Sequence, residues 1–335
     1  MELIHADADR KEIGYLYDFD KLDAIISQSP DAKLEDNSFS LIVGDEIWAA
    51  SPIHCGHYIY VPGTEWGGQV ETIRHNTARK QVTLSGLTWR GALYRKIIAP
   101  PDGQNYLILK PQDANAAISS LIGNQLGDAY KCDTSISGVQ SVRAEFRYIN
   151  LMHGLHKLLL QSGAALHIEY NQAQRAAVFS ARPIVDYSSR VDLSQDYGVD
   201  MVTIAGGIDR FNHVIALGAG ELEDRDILHV YRLDDGTLTM QRPAWHGTAK
   251  DHVMTYNYTN PEDIDKLREG AEKILIDHTP LKSIEIDPRV EDMQLNIGDI
   301  VGARDKLTGM IATARITGKV LTMDDRGIKI ETRVG

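Results

Sequence analysis

A mainly β fold with α+β insertions is what this sequence predicts, on three observations. Residues 1–105 and 186–335 are dominated by short runs in which apolar and polar residues alternate, the period of a half-buried strand. Those runs are punctuated by glycine, proline and Asx pairs such as Pro62-Gly63, Gly67-Gly68 and Asp234-Asp235-Gly236. Between the two β regions, residues 106–185 carry apolar residues at spacings of three and four, followed by a hairpin pattern.

Taken in order, Asp20–Ile26 has the spacing of a short helix with Leu22 and Ile25/Ile26 inward, and Pro30-Asp31 reads as a turn. Residues 37–47 read as a strand, a Gly44-Asp45 turn and a second short strand. Tyr58–Val61 and Gln69–Arg74 are predicted strands, and Gln81–Leu84 alternates with Val82 and Leu84 on one face. After Ser85-Gly86 the period turns helical through Trp89, Ala92, Leu93 and Lys96/Ile97, with Thr88 as N-cap. Pro100-Pro101 stops it, so the unit is a small antiparallel sheet with a helical plug.

Asp113 is placed to cap a helix reaching about Gly127, with Ala114, Ala117, Ile118, Leu121, Ile122 and Leu126 on one stripe. A second helix is predicted from Ser141 or Val142 to Gln161, carrying Phe146, Ile149, Met152, Leu155 and Leu159. Leu166–Tyr170 and Ala176–Ala181 form a predicted hairpin. Strands follow at Met201–Ala205, His213–Leu217, Ile227–Leu233 and Thr237–Gln241. Asn260 and Pro261 open a helix to Asp277 whose stripe is Ile264, Leu267, Ala271, Ile274 and Leu275. The tail from Ile284 reads as a strand meander with turns at Asn296, Lys306–Gly309 and Asp324–Gly327.

The chain has 335 residues, more than one ordinary core holds. Its 43% hydrophobic and 24% charged residues are typical of a globular protein. No apolar run approaches the ~18 residues of a membrane span, and the polar start MELIHADADRKEIG has no signal-peptide character. Cys55 and Cys132 lack motif spacing and read as two buried free thiols, which suits a reducing cytoplasm. The formal charge of −12 (35 basic, 47 acidic) and the lack of long basic runs argue against a phosphate-gripping surface.

The candidate chemical sites each have a plainer reading. His54-Cys55-Gly56-His57 resembles half a zinc site, but no second pair with ligand spacing exists, so metal binding is the weaker reading. His153 and His156 share a helix face without a third ligand and read as helix-surface histidines. Gly218-Ala219-Gly220 lacks the third glycine of a dinucleotide loop and is followed by four acids (Glu221, Glu223, Asp224, Asp226), so a turn is expected. Those acids could hold calcium or serve as a glycosidase pair, but solvated charge around Arg225 is the plainer and stronger reading. Trp66, Trp89 and Arg90 are candidate interface residues, and each could equally belong to the core.

Three blocks together resemble the phage tail-hub family, the siphophage-type Gp37-like tail proteins. They are Gly63–Gly68 (GTEWGG) with Gly86–Gly91 (GLTWRG) and Ile97–Pro101 (IIAPP); Asn212–Glu221 with Arg225–Tyr231 and Asp234–Gly236; and Ile297–Arg304 (IGDIVGAR) with Thr308-Gly309 and Ile316–Val320 (ITGKV). The resemblance implies a structural virion protein of a phage or prophage tail tip, assembled in the host cytoplasm, with no catalytic residue, cofactor or metal. It implies two tube-like β-barrel domains per chain, so that a homotrimer imitates a sixfold ring and forms a DNA channel. On that scheme 1–105 is the first barrel, 106–185 the α+β domain, and 186–335 the second barrel with an insertion at about 241–279. Implied partners are a distal tail protein ring, a tape measure protein and a tail fibre or receptor-binding protein, with no sequence-specific nucleic acid binding and no membrane span. No lytic or host-binding extension is expected after Gly335. The alternative classes are a tail-associated glycan or peptidoglycan hydrolase, using Glu221 and Asp224, and a carbohydrate-binding module.

Overall fold

A sheet of seven antiparallel strands runs through the larger part of the molecule. Its path is Ile300–Arg304, Ile311–Asp324, Lys21–Ser27, Ser38–Gly44, Gln81–Leu87 and Thr72–Asn76, and Gly327–Val334 pairs with Ile311–Asp324 off that path. C-terminal strands thus pair directly with N-terminal ones. The register sets Met323 opposite Leu22, Leu22 opposite Leu41, and Leu41 opposite Leu84. All four are buried, so one apolar row crosses four strands. Burying each leucine contributes about 1.5–3 kcal/mol.

This computed structural model describes all residues except 30–31, 141, 190–200, 206–210, 234–235, 259–263, 279–282, 288–294, 305–306, 308–310 and 335. The chain forms two compact units, Met1–Thr203 with Ile284–Gly335, and Ile204–Ser283. With 43% strand and 18% helix the protein is mainly β. Among the described residues no sheet closes into a barrel.

In the first unit a second sheet orders Glu12–Leu16, Leu3–Ala6, Tyr58–Tyr60 and Gly67–Gln69. It touches the large sheet where Gly68 bridges Thr88. Two glycines make that approach possible. A Cβ on Gly68 would lie 1.9 Å from the Leu87 carbonyl oxygen, and one on Gly86 would lie 1.9 Å from that of Gln69. The α+β layer follows. Helix Ala114–Ile122 is capped by Asp113, which accepts from the Asn115 N–H at 2.9 Å, and it ends at Gly123 with φ +50°. It packs with helix Leu151–Gln161 on the antiparallel pair Ala164–Asn171 and Ala176–Pro183. Tyr130–Cys132 adds to that pair in parallel. One core joins these helices to Ile4, Tyr58, Tyr60, Trp89 and Leu93.

Several local expectations are corrected. Residues 21–27 form a strand, because Leu22, Ala24 and Ile26 are buried in alternation between two hydrogen-bonded neighbours; pairing on both edges overrides local spacing. After Gly44 comes a helix, Asp45–Ala50, with two acids in its first turn, and not a second strand. The plug after Ser85-Gly86 is a short 3₁₀ turn, Gly91–Arg95, followed by strand Ile97–Ile98. The predicted helix from 142 begins only at Leu151, capped by the Asn150 side chain (3.0 Å from Met152 N). Its first half is strand Val142–Phe146, paired with Leu107–Gln112, then Ile149–Asn150. The hairpin at 164–183 and the strand His213–Leu217 stand where the alternation put them. The Pro30-Asp31 turn, Asp234-Asp235, the Asn260-Pro261 helix start and most of the Lys306–Gly309 turn lie outside the described residues.

The second unit has its own sheet, in the order Leu238–Thr239, Ile227–Arg232, His213–Leu217 and Val253–Asn257. Helix Ile264–Asp277 covers one face of it. Val214, Ala216 and Val230 meet Leu267, Ala271 and Leu275 there, all nearly solvent-free.

Gly86→Ala is expected to cost about 1–3 kcal/mol or more by overpacking against backbone. Gly14→Ala, with nothing within 4 Å of its Cβ position, stays within about 0.5 kcal/mol. Urea unfolding of the two variants beside the parent measures the difference.

Candidate functional site

The centre of the first unit is a buried cation. Arg90 follows Trp89 at the end of the large-sheet strand and has 0% exposure. Its Nε and Nη2 donate to the two carboxylate oxygens of Glu65, at 2.5 and 2.9 Å. Nη1 donates to Gln28 Oε1 at 2.8 Å and Nη2 also to the Leu166 carbonyl at 3.1 Å. Gln28 passes its amide on to His156 Nδ1, at 2.7 Å. One guanidinium therefore ties the Gly63–Gly68 turn, the end of strand Lys21–Ser27, strand Ala164–Asn171 and helix Leu151–Gln161. Beside it Trp89 stacks on Tyr58 (5.8 Å) and Tyr170 (5.1 Å), with Tyr130 edge-on at 5.9 Å. The structure thus places Trp66, Trp89 and Arg90 inside the first unit, at 6%, 0% and 0% exposure.

A cavity of about 220 Å³ opens next to this pair, lined by Glu65, Trp66, Arg90, Arg182, Asn296 and Lys319 among others. Burial lowers the ammonium pKa of Lys319, which Glu65 and Asp299 partly restore. Asp299 is fully buried and binds Arg182, the Val185 N–H (3.1 Å) and the Asn296 N–H (2.8 Å). Those bonds dock the IGDIVGAR block on the strand end at 182–187, where Ile300 also exchanges backbone bonds with Val185 and Tyr187. Neither Asp299 nor Glu65 stands in a recognisable motif; the available signal was a single acid beside an apolar residue, Ile300 or Trp66, in a glycine-containing block.

The histidines are arranged differently from the expectation. His156 is half-buried rather than fully at the surface; it faces Gln28, and burial with the nearby Arg90 lowers its pKa to about 4. His57 turns Nδ1 to His5 Nε2 at 2.8 Å, while Cys55 donates to the Glu71 carbonyl. Burial and the His57 charge lower His5 to about 4. Cys55 is exposed rather than buried, and Cys132 is half-buried, its thiol pKa raised by burial; both are free. Gly218-Ala219-Gly220 is a turn closed by Gly218 N–H to Asp226 O (2.7 Å) and Asp226 N–H to Ala219 O (2.9 Å). Its acids are exposed, and Arg225 bonds instead to Gly218 O and Asn257 Oδ1. In the second unit His213, His246 and Asp251 form the one group among the described residues with metal-ligand proximity. Burial depresses His213 and His229 below the ordinary histidine range, and Asp251 partly offsets this at His213. Among the described residues no helix is long and apolar enough to cross a membrane.

No protein-family model matches the chain, and no curated protein sequence matches it. Solved structures do. The 43 kDa tail protein of prophage MuSo2 from Shewanella oneidensis superposes with a TM-score of 0.56 at 15% identity, covering 100% of this chain and 98% of that one. Prophage tail protein gp18 from Listeria monocytogenes gives 0.56 at 12% identity, over 100% and 94%. A tail protein from Neisseria meningitidis gives 0.52 at 16%, over 99% and 95%. The chain therefore has the fold of phage and prophage tail proteins.

Removing one partner of the buried pair leaves an uncompensated charge, so Glu65→Gln is expected to cost about 3–5 kcal/mol. Glu65→Leu combined with Arg90→Met, which removes both charges, costs less than the single change; urea midpoints decide. Because His5 and His156 have folded pKa values near 4, below the ordinary 6.5, the unfolded chain binds more protons between those limits. The stability these two histidines contribute is complete above pH 6.5 and falls towards pH 4, and His156→Gln should flatten that slope in pH-dependent unfolding.

Proposed function

We propose that this chain is a structural protein of a phage or prophage tail, and more finely a homotrimeric hub at the distal end of the tail tube. The observation that carries the reading is likeness of fold along the entire chain to three tail proteins, each itself matched over at least 94% of its length. A binding module merely shared with those proteins would match over a part only. On this reading the long antiparallel sheet supplies the wall of a tube-like domain. Two such domains per chain let three copies meet a sixfold distal tail protein ring around a DNA channel. The tape measure protein and a tail fibre or receptor-binding protein are the other neighbours. A formal charge of −12 suits a lumen that DNA passes without adhering.

Two sheet edges suit contacts between copies. Strand Thr72–Asn76, at one edge of the large sheet, is exposed along its whole length. Strand Glu12–Leu16, at the edge of the second sheet, exposes Ile13 (51%) and Tyr15 (50%), and Tyr17 stacks on Tyr15 at 5.7 Å. Open edges of this kind call for a covering partner, and closed symmetry supplies one from an identical chain.

Light scattering after size exclusion is expected to give three times the 37.2 kDa chain mass, with rings in negative stain. Ile13→Lys with Tyr15→Lys reduces the mass to one chain while leaving circular dichroism unchanged. A parent protein that stays monomeric, alone and when mixed with tail tubes lacking a tip, counts against the hub.

A further inference from the structure

The second unit carries side chains that a structural tail role leaves unused. Alternation along His213–Leu217 sends Val214 and Ala216 under the helix, which puts His213 on the opposite face. His229 and Tyr231 of the neighbouring strand share that face: His213 Nε2 is 2.8 Å from His229 Nδ1, and its ring stacks on Tyr231 at 4.3 Å. The segment 241–252 folds over these rings. Trp245 and His246 stand edge-on to Tyr231, at 5.8 and 5.4 Å. Asn212 holds the end of the segment, donating to Lys250 O and accepting from His252 N–H.

Asp251 sits between the two layers. Its Oδ1 is 2.8 Å from His213 Nδ1, and its Oδ2 is 3.1 Å from His246 Nδ1 and 2.7 Å from Gly247 N. Two imidazole nitrogens from different elements thus converge on one carboxylate. Only the first makes a hydrogen bond: His246 Nδ1 is buried and has no hydrogen-bond partner. A buried ring nitrogen 3.1 Å from a carboxylate oxygen but not hydrogen-bonded to it matches adjacent ligands of a small cation. Bonds of about 2.0–2.1 Å at tetrahedral angles separate neighbouring ligand atoms by about 3.3 Å. One nitrogen of each histidine and one Asp251 oxygen all lie within 4.8 Å of one another. Side-chain exposures are 1% for His213, 6% for Asp251 and 19% for His246, so His246 is the most accessible of the three.

We propose that His213, His246 and Asp251 bind one divalent first-row transition-metal ion of the zinc class, with His229 orienting His213 and a fourth position open to water. Two imidazoles and one carboxylate suit zinc and its neighbours; calcium and magnesium take oxygen ligands. The bonded ion pins segment 241–252 to the sheet. The His213–His229 contact is the outer-layer partner that holds a ligating ring in place.

The test uses the full chain stripped with EDTA, titrated with Zn²⁺ by calorimetry and with Co²⁺ by visible absorption. The expected result is one ion per chain and a ligand-field spectrum of low-coordinate Co²⁺. His246→Ala should weaken binding by more than about 100-fold and His229→Gln by about 10–100-fold, the range for an outer partner. His57→Ala, in the first unit, should change nothing. Circular dichroism of the metal-free variants checks folding, and Asp251→Asn gives the same readout should His246→Ala misfold. Absence of Zn²⁺ uptake overturns the proposal. So does uptake that His246→Ala and Asp251→Asn leave intact, or uptake lost with His57→Ala.

Discussion

A positive charge without access to water is the constraint on which the first unit depends. Taking a guanidinium out of solvent costs several kcal/mol unless its donors are met. Arg90 has four contacts for them, drawn from a turn, a strand end, a second strand and, through Gln28, a helix. Each of those elements must be in place for the charge to be tolerated. The pair is thus weak evidence of net stability and stronger evidence of specificity. An alternative packing that moved Gly63–Gly68 by one residue would strand the charge. The aromatic stack of Trp89, Tyr58 and Tyr170 beside it gives the apolar half of the same junction.

Legibility in the sequence followed the range of the forces involved. The hairpin 164–183, the strand 213–217 and the Asp113 cap were readable because alternation and capping act within a few residues. The strand 21–27 is ambiguous in sequence because Leu22, Ile25 and Ile26 also satisfy helical spacing, and its choice is made by partners at 38–44 and 311–324. Val142–Phe146 failed for the same reason: its partner is Leu107–Gln112. The tight glycines of GTEWGG and GLTWRG were visible as punctuation, but their reason, carbonyl groups of a crossing strand, was not. Of the candidate site, Trp89 and Arg90 could be singled out by residue type, whereas Glu65, Gln28 and Asp299 acquire meaning only from geometry. The cluster at His213 combines residues from a strand and a turn segment with no motif spacing.

Fold likeness and surface character bear on different parts of the functional reading. The match across the whole length speaks to architecture, at identities too low to carry chemistry. Strands 12–16 and 72–76 are sheet edges whose side chains are largely exposed. The buried polar nodes at Arg90 and Asp299 tie several elements of the first unit to one another.

The pairing of Ile311–Asp324 with Lys21–Ser27 also governs how the chain is made. Thr322 bonds Asp23 across 299 positions of sequence. During synthesis the strand at 21–27 therefore waits, with one edge open, until residues 311–324 have left the ribosome. Loop closure over such a distance is slow, and an unpaired apolar edge is where nascent chains misassociate. The same wait acts as proofreading. A chain interrupted before residue 311 lacks the strand that pairs with 21–27, so a defective copy is marked by an unfilled sheet edge.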